Sequence, residues 1–327
     1  MLSNEIKKAR QLLNQRQKIL VISHRSPDAD TLGSAIALKV ILEKASKDVT
    51  MACVDKPSAS FSFLPYVNDF IKEFNISDYD LLIIVDAGAS YMTDFHLKYP
   101  DLFKTDVDII NIDHHASNDS FGTVNIVDSG AASTTLILYR LFTDWDVEFD
   151  KQIATCLLAG MYGDTGSFMH SNTSREVMDA ASALIGVGAS VSEISSALFS
   201  NTSISSLRLW GKVLEKAYIT LDGVAMSVVR DDDYADAGAG PDNLSGVIDY
   251  LNMIPDTKFA VLVNEDHQGN VKGSFRTRNE DIDVARVAAV FGGGGHPKAS
   301  GFSIPGRLQQ EVRYSIVSDK ESQSLEF

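Results

Sequence analysis

The sequence predicts an α/β protein: an N-terminal open, mostly parallel sheet with helices on both faces, followed by a smaller C-terminal α+β domain. Three observations predict it. Short, nearly continuous runs of Ile, Leu and Val alternate with longer stretches whose apolar residues recur at helical spacing. After residue 215 the texture changes to strand-like runs separated by turn signals. At 327 residues the chain also exceeds the roughly 250–300 residues that one hydrophobic core usually supports.

The elements follow in order. "MLSNEIKKARQLL" reads as an amphipathic helix and lacks the apolar stretch of a secretory leader. "KILVIS" (18–23), "DVTMACV" (48–54), "YDLLIIVDAG" (79–88) and "VDIINID" (107–113) are predicted strands, apolar enough to be buried on both faces. "TLGSAIALKVILEKA" (31–45), "AASTTLILYRLF" (131–142) and "KQIATCLLAGMYGDTG" (151–166) are predicted helices, and their alternation with the strands implies right-handed crossovers. Residues 174–215 read as mostly helical. "YITLDGVAMSVVR", "KFAVLVNEDHQGNVKGSFRTR" and "SGFSIPG" then read as strands, with Asp222-Gly223 and Gly269-Asn270 as hairpin turns. The expected division is a first domain over 1–188, a helical linker over 189–215 and a second domain over 216–327.

Composition narrows the function. The net charge is −15, from 44 acidic and 29 basic residues. Such a surface repels polyanions and anionic membranes, and there is no Lys/Arg run to form the basic stripe that duplex DNA needs. No stretch reaches the ~20 apolar residues of a membrane span. Cys53 and Cys156, the only cysteines, suit neither a metal site nor a disulfide framework, so a reducing cytoplasm is expected.

Acid and histidine cluster where strands or helices meet loops. "HRSPDADTLGS" (24–34) carries His24, Asp28 and Asp30 after the first strand. Asp86 ends "LLIIVD", Asp113, His114 and His115 end "IINIDHH", and Asp164 lies in "MYGDTG". The carboxyl ends of strands in an open α/β sheet line its ligand crevice, so these fragments should converge. Each alone is more simply a turn, a cap or a structural histidine; together they supply imidazole and carboxylate donors without thiolate, which suits Mn²⁺ or Mg²⁺ better than Zn²⁺ or Fe²⁺. Crowded carboxylates repel one another. A pair of divalent ions about 3.5–4 Å apart would resolve that conflict and serve phosphoryl hydrolysis.

"HRSPDADTLGS", the Asp after "LLIIV", "DHH" and "GDTGSF" resemble the four successive motifs of the DHH phosphoesterase family. "GSFRTR" and "GGGGHPKASGF" are similar to its DHH-associated domain. The two-domain form looks most like the bacterial nanoRNase and pAp-phosphatase branch. The resemblance implies that His24, Asp28 and Asp86 hold one manganese, and that Asp30, Asp86, His114 and Asp164 hold the other, with Mg²⁺ or Co²⁺ as substitutes. It implies that Asp113 orients a neighbouring histidine and that His115 faces the scissile phosphate. It further implies a nucleotide clamp of Arg276, Arg278, Gly293, Gly294, Gly295 and His296; Ser133 and Thr134 are expected to touch substrate or to cap a helix. His96, His170 and His267 match no motif and are expected to be structural.

The expected activity is manganese-dependent hydrolysis of short oligoribonucleotides, linear dinucleotides and 3′-phosphoadenosine 5′-phosphate (pAp), by an attacking water that the two metals activate, with no long duplex DNA and no membrane as partner. The family resemblance adds an expected homodimer. Alternatives on the same metal site are a cyclic-dinucleotide phosphodiesterase and an exopolyphosphatase or pyrophosphatase. A catalytically silent nucleotide sensor would have eroded ligand positions, and every expected position is filled.

Overall fold

The computed structural model describes residues 2–104, 106–199, 203–266, 268–309, 311, 316–318 and 321–323. The chain divides into two compact units, Met1–Thr202 and Ser203–Phe327. The division falls inside the stretch expected to link them.

The first unit opens with helix α1 (Leu2–Gln15), strand β1 (Lys18–Ile22), helix α2 (Ala29–Lys44) and strand β2 (Asp48–Ala52). Strand β3 (Leu81–Val85), a one-turn helix α3 (Phe95–Lys98), strand β4 (Asp108–Asp113) and strand β5 (Val124–Val127) follow. Helices α4 (Thr134–Asp144), α5 (Lys151–Asp164), α6 (Arg175–Val187) and α7 (Val191–Phe199) complete it. The strands form one wholly parallel sheet in the order β2-β1-β3-β4-β5. Strand β5 was not expected; its four residues, "VNIV", include a polar Asn125 and are too short to register as an apolar run.

Strand side chains alternate between faces, so the apolar runs must be covered on both. Ile19, Val21, Ile83, Val85, Ile110 and Ile112 point into a core shared with α1, α2, α4 and α5. Leu20, Ile22, Leu82 and Ile84 point the other way, against Phe95 and Leu102. The cover on that second face is α3, short 3₁₀ turns and loops. Helix α2 is apolar nearly all round and almost wholly buried. Gly33 lets α2 lie against α5, since a Cβ there would stand 2.4 Å from the Cys156 carbonyl oxygen. That is a packing role.

The second unit contains helix α8 (Ile204–Glu215), strands β6 (Tyr218–Ile219) and β7 (Val224–Val229), and helices α9 (Asp231–Ala237) and α10 (Val247–Asn252). Strands β8 (Phe259–Glu265) and β9 (Asn270–Arg276), helix α11 (Val284–Ala289), and strands β10 (Gly294–His296) and β11 (Ala299–Pro305) follow. Strands β12 (Ile316–Ser318) and β13 (Glu321–Gln323) pair separately. The main sheet runs β10-β11-β9-β8-β7-β6. Its hairpins turn at Gly223 (φ +78°) and Gly269 (φ +82°), where a left-handed backbone favours glycine. The β7–β8 pair is parallel, joined by a crossover through α9 and α10. No single helix among the described residues is long and apolar enough to cross a membrane.

Candidate functional site

The strand order reverses between β1 and β3, the switch point at which open α/β sheets bind ligands beyond the strands' carboxyl ends. His24 and Asp28 follow β1, and Asp30 lies in the first turn of α2. Asp86 follows β3, Asp113 ends β4, and His114 and His115 come next. Asp164 ends α5 and reaches the same edge, its Oδ2 standing 3.2 Å from His114 Nε2.

Local hydrogen bonds set each side chain. His24 Nδ1 stands 2.6 Å from the Arg25 carbonyl oxygen, an acceptor only, so Nδ1 carries the proton. Nε2 lies 3.4 Å from Asp86 Oδ2 and 3.9 Å from Asp28 Oδ1. Asp28 caps α2, its Oδ1 accepting the Asp30 and Thr31 N–H groups. Asp86 has a left-handed backbone (φ +57°), which aspartate tolerates better than most residues, and its N–H donates to the Ile112 carbonyl at 2.9 Å. Its two oxygens diverge: Oδ2 faces His24, whereas Oδ1 lies 3.5 Å from His114 Nε2 and accepts the Thr134 hydroxyl at 3.1 Å.

Asp30 is fully buried. Its oxygens accept the Thr134 N–H at 2.6 Å, the Thr135 N–H at 2.9 Å and the Thr135 hydroxyl at 2.6 Å. The positive N-terminus of α4 therefore holds this carboxylate. Gly160 on α5 makes the approach sterically feasible: a Cβ there would stand 2.4 Å from Thr135 Oγ1 and 2.5 Å from Asp30 Oδ1.

Two groups of donor atoms gather within 4.8 Å of one another, His24 with Asp28 and Asp86, and Asp30 with His114 and Asp164. Asp86, Asp113 and His115 form a third. Burial, then the charges of Asp30 and Asp28, push the Asp86 carboxyl well above the usual range, against the pull of His115. Asp164 rises for the same first reasons, with Asp86 and Asp113 adding to it. Burial lowers the His114 imidazole, which favours its neutral, ligating form. Burial alone would raise Asp113, but hydrogen bonds from His115 and Asn118 outweigh it and hold the carboxyl below its usual value. His115 shows the converse. Burial pulls it down, yet the bond to Asp113 and the charges of Asp86, Asp113 and Asp30 carry it from 6.5 to about 9. Oxygen and imidazole donors with surplus buried negative charge fit divalent cations.

The substrate residues expected from sequence fall differently. Ser133 is fully buried and caps α4, accepting the Leu136 N–H at 3.1 Å, so the cap is the part of its expectation that the geometry carries. Arg276 ends β9, with Nε 3.5 Å from Asp249 Oδ1 and Nη1 donating to the Phe275 carbonyl. Arg278 is exposed beyond the strand. Within the glycine run expected to form part of the clamp, Gly294 and Gly295 form the edge strand β10 with His296. A Cβ on Gly293 would stand 2.1 Å from the Gly301 carbonyl oxygen, and one on Gly295 2.7 Å from that of Ala299. Those two glycines serve the close approach of β11, whereas Gly294 faces open space. Of the histidines expected to be structural, His170 packs its ring over Gly166, and His267 lies outside the described residues.

Sequence reasoning passed over Thr135, Gly160 and Asn118. "STT" ahead of an apolar run is a cap signal, and helix N-termini bind anions, so Thr135 had a readable cue. Asn118 had an indirect one, because Asn111 interrupts an otherwise apolar strand.

Residues 18–161 match the model of the DHH family, N-terminal domain, and residues 222–318 match that of the DHHA1 domain. Over 309 residues the chain is 30% identical to the "bifunctional oligoribonuclease and PAP phosphatase NrnA" of Thermus thermophilus, spanning 94% of this chain and 90% of that protein. The Bacillus subtilis protein of the same name is 28% identical over 292 residues, 88% of this chain and 89% of its own length. The crystal structure of an exopolyphosphatase-related protein from Bacteroides fragilis matches with a TM-score of 0.85 at 24% identity, covering 94% of this chain and 92% of that one, which shows a common fold. The chain belongs to the DHH family of phosphoesterases, and it carries a DHHA1 domain in its second unit.

Proposed function

We propose that this phosphoesterase hydrolyses short oligoribonucleotides, linear dinucleotides and pAp, using two Mn²⁺ ions. His24, Asp28 and Asp86 would hold one ion; Asp30, Asp86, His114 and Asp164 would hold the other. The observation that carries this reading is Asp86, whose Oδ2 is turned to His24 and Oδ1 to His114. When bound, the ions lower the pKa of a water and neutralise phosphate charge. The chain's own groups do the rest. Thr134 and Thr135 hold the Asp30 carboxylate. Asp113 accepts the Nδ1 proton of His115 at 2.7 Å. The His115 Nε2 would then serve a phosphate oxygen or, when protonated, pass its proton to the leaving oxygen.

The substrate class rests on the names of the Thermus and Bacillus relatives and on charge. A long RNA gains affinity from many Lys/Arg–phosphate contacts, which a chain of net charge −15 is poorly equipped to supply. A dinucleotide needs few. Arg276, Arg278, Gly293–Gly295 and His296 of the DHHA1 domain would contribute the nucleotide contacts.

The test is a substrate panel with purified protein and Mn²⁺, comparing pAp, pyrophosphate, cyclic dinucleotides and a 5′-labelled RNA length series. We expect kcat/KM to fall at least about tenfold, about 1.4 kcal/mol of transition-state binding, between the dinucleotide and RNAs of about twenty residues. Equal efficiency across that series would refute the short-substrate reading. Preferential turnover of pyrophosphate would replace it.

A further inference from the structure

We infer that Asn118 is a positioning residue for the reaction, holding Asp113 and thereby His115 in one orientation, and that Asn111 and Asn125 hold Asn118 in turn. This rests on the phosphoesterase reading above, in which His115 serves the phosphate.

Strand β4 alternates its faces, so Asn111 and Asp113 share one. Asn111 is fully buried in a strand otherwise built of isoleucine up to its terminal aspartates. A buried amide is costly unless its hydrogen bonds are met. Its Nδ2 donates to Asn118 Oδ1 at 2.9 Å and to Asn125 Oδ1 at 3.1 Å. The Asn118 amide has only one sensible orientation. Its Oδ1 also meets the Ser120 N–H at 2.8 Å, a group that can only donate. Its Nδ2 meets Asp113 Oδ2 at 2.6 Å and the Ala87 carbonyl at 3.1 Å, both of which can only accept while Asp113 is ionised. Asn125 is fixed by the same logic, its Oδ1 accepting the Gly122 N–H at 3.0 Å and its Nδ2 donating to the Gly122 carbonyl at 2.7 Å.

Asp113 is thus pinned on both oxygens. Oδ2 accepts from Asn118, and Oδ1 accepts the His114 N–H at 2.8 Å and His115 Nδ1 at 2.7 Å. Rotating the carboxylate would break all three bonds, so the His115 ring keeps Nδ1 inward and Nε2 for substrate. The Asn118–Ala87 bond also ties this loop to the residue after Asp86. A Cβ on Gly88 would stand 3.1 Å from Ser117 Oγ and 3.2 Å from the His115 Cβ, so the two loops are closely packed. In the step served, the bond from phosphorus to the leaving oxygen breaks and its electron pair stays on that oxygen. That oxygen takes the Nε2 proton of His115. Water supplies the oxygen of the new P–O bond and releases its proton to solvent.

The experiment compares two leaving groups on the Mn²⁺-loaded enzyme. A nucleoside alkoxide needs protonation to leave, whereas p-nitrophenolate does not. Asn118→Ala and the isosteric Asn118→Asp should lower kcat for a dinucleotide by about ten- to hundredfold, with KM and manganese content near wild type, as expected for partners that orient active-site groups. They should lower kcat for bis-p-nitrophenyl phosphate far less. In a His115→Ala background, Asn118→Ala should cost nothing further. Asn118→Asp keeps the side-chain shape and supplies the comparison if Asn118→Ala does not fold. Equal losses on both substrates, full additivity with His115→Ala, or loss of manganese would each overturn the inference while leaving the proposed function standing. A wild-type enzyme that cleaves bis-p-nitrophenyl phosphate but no nucleotide would overturn both.

Discussion

Alanine at Gly160 should damage both fold and metal site, although glycine to alanine inside a helix ordinarily stabilises by about 0.5–1 kcal/mol. Gly160 lies within α5, where an added Cβ would stand 2.4 Å from Thr135 Oγ1, 2.5 Å from Thr135 Cγ2 and 2.5 Å from Asp30 Oδ1. None of these atoms is the loose end of a flexible chain. The Thr135 hydroxyl donates to Asp30 at 2.6 Å, and Asp30 is fully buried under three hydrogen bonds. Overpacking a core typically costs about 1–3 kcal/mol, and loss of a hydrogen bond to a charged group about 1.5–3 kcal/mol. Against the helix-propensity gain, the net destabilisation should be about 2–5 kcal/mol. Displacing Asp30 should also weaken manganese binding by about ten- to hundredfold. Gly186, inside α6 with nothing within 4 Å of an added Cβ, is the control, and Gly186→Ala should stabilise by about 0.5–1 kcal/mol. Denaturant unfolding and Mn²⁺ titration of both variants give the test. If the two substitutions shift stability in the same direction, or if Gly160→Ala binds manganese normally, the close-approach argument fails.

Asp86→Ala should abolish turnover and reduce bound manganese, while His115→Ala keeps the metal and loses turnover; metal analysis beside rates checks this, and near-normal turnover of Asp86→Ala would remove the proposed bridge. In chelator-treated protein, stability should fall as pH rises towards and past 9. His115 is raised to about 9, so its contribution is complete below its ordinary 6.5 and disappears as pH passes the folded value. Asp86 and Asp164 are raised too and act in the same direction, so unfolding midpoints that climb from pH 7 to 10 would contradict the assignment. Arg276→Ala should impair dinucleotide hydrolysis about tenfold or more, through the loss of a charge-assisted phosphate contact, with a much smaller effect on bis-p-nitrophenyl phosphate. Parallel losses on the two substrates would deny Arg276 a recognition role.

Much of this protein was legible locally. The runs 18–23, 48–54, 79–88 and 107–113 became β1 to β4 because continuous Ile, Leu and Val can satisfy only a strand covered on both faces. The acids and histidines at their ends were conspicuous as polar groups beside such strands, and the parallel order carried them to one edge. Strand β5 and the strand character of Gly294–His296 were hidden, since neither has a periodic apolar pattern of its own. The parallel β7–β8 pair depends on a crossover that no dipeptide announces.

By itself the sequence determined which residues are candidates for the chemistry and which elements bury apolar surface, because both are recorded within single segments of the chain. Only the tertiary structure decided how those residues are held. Thr135 meets Asp30 across 105 positions, and the glycine that permits their contact lies on a third element. Asn111, seven residues before Asn118, looks like an isolated polar defect until the loop folds back to satisfy it. Hydrogen bonds near 3 Å and a missing Cβ act over distances that periodicity does not encode, so they exist only once the helices and loops have packed.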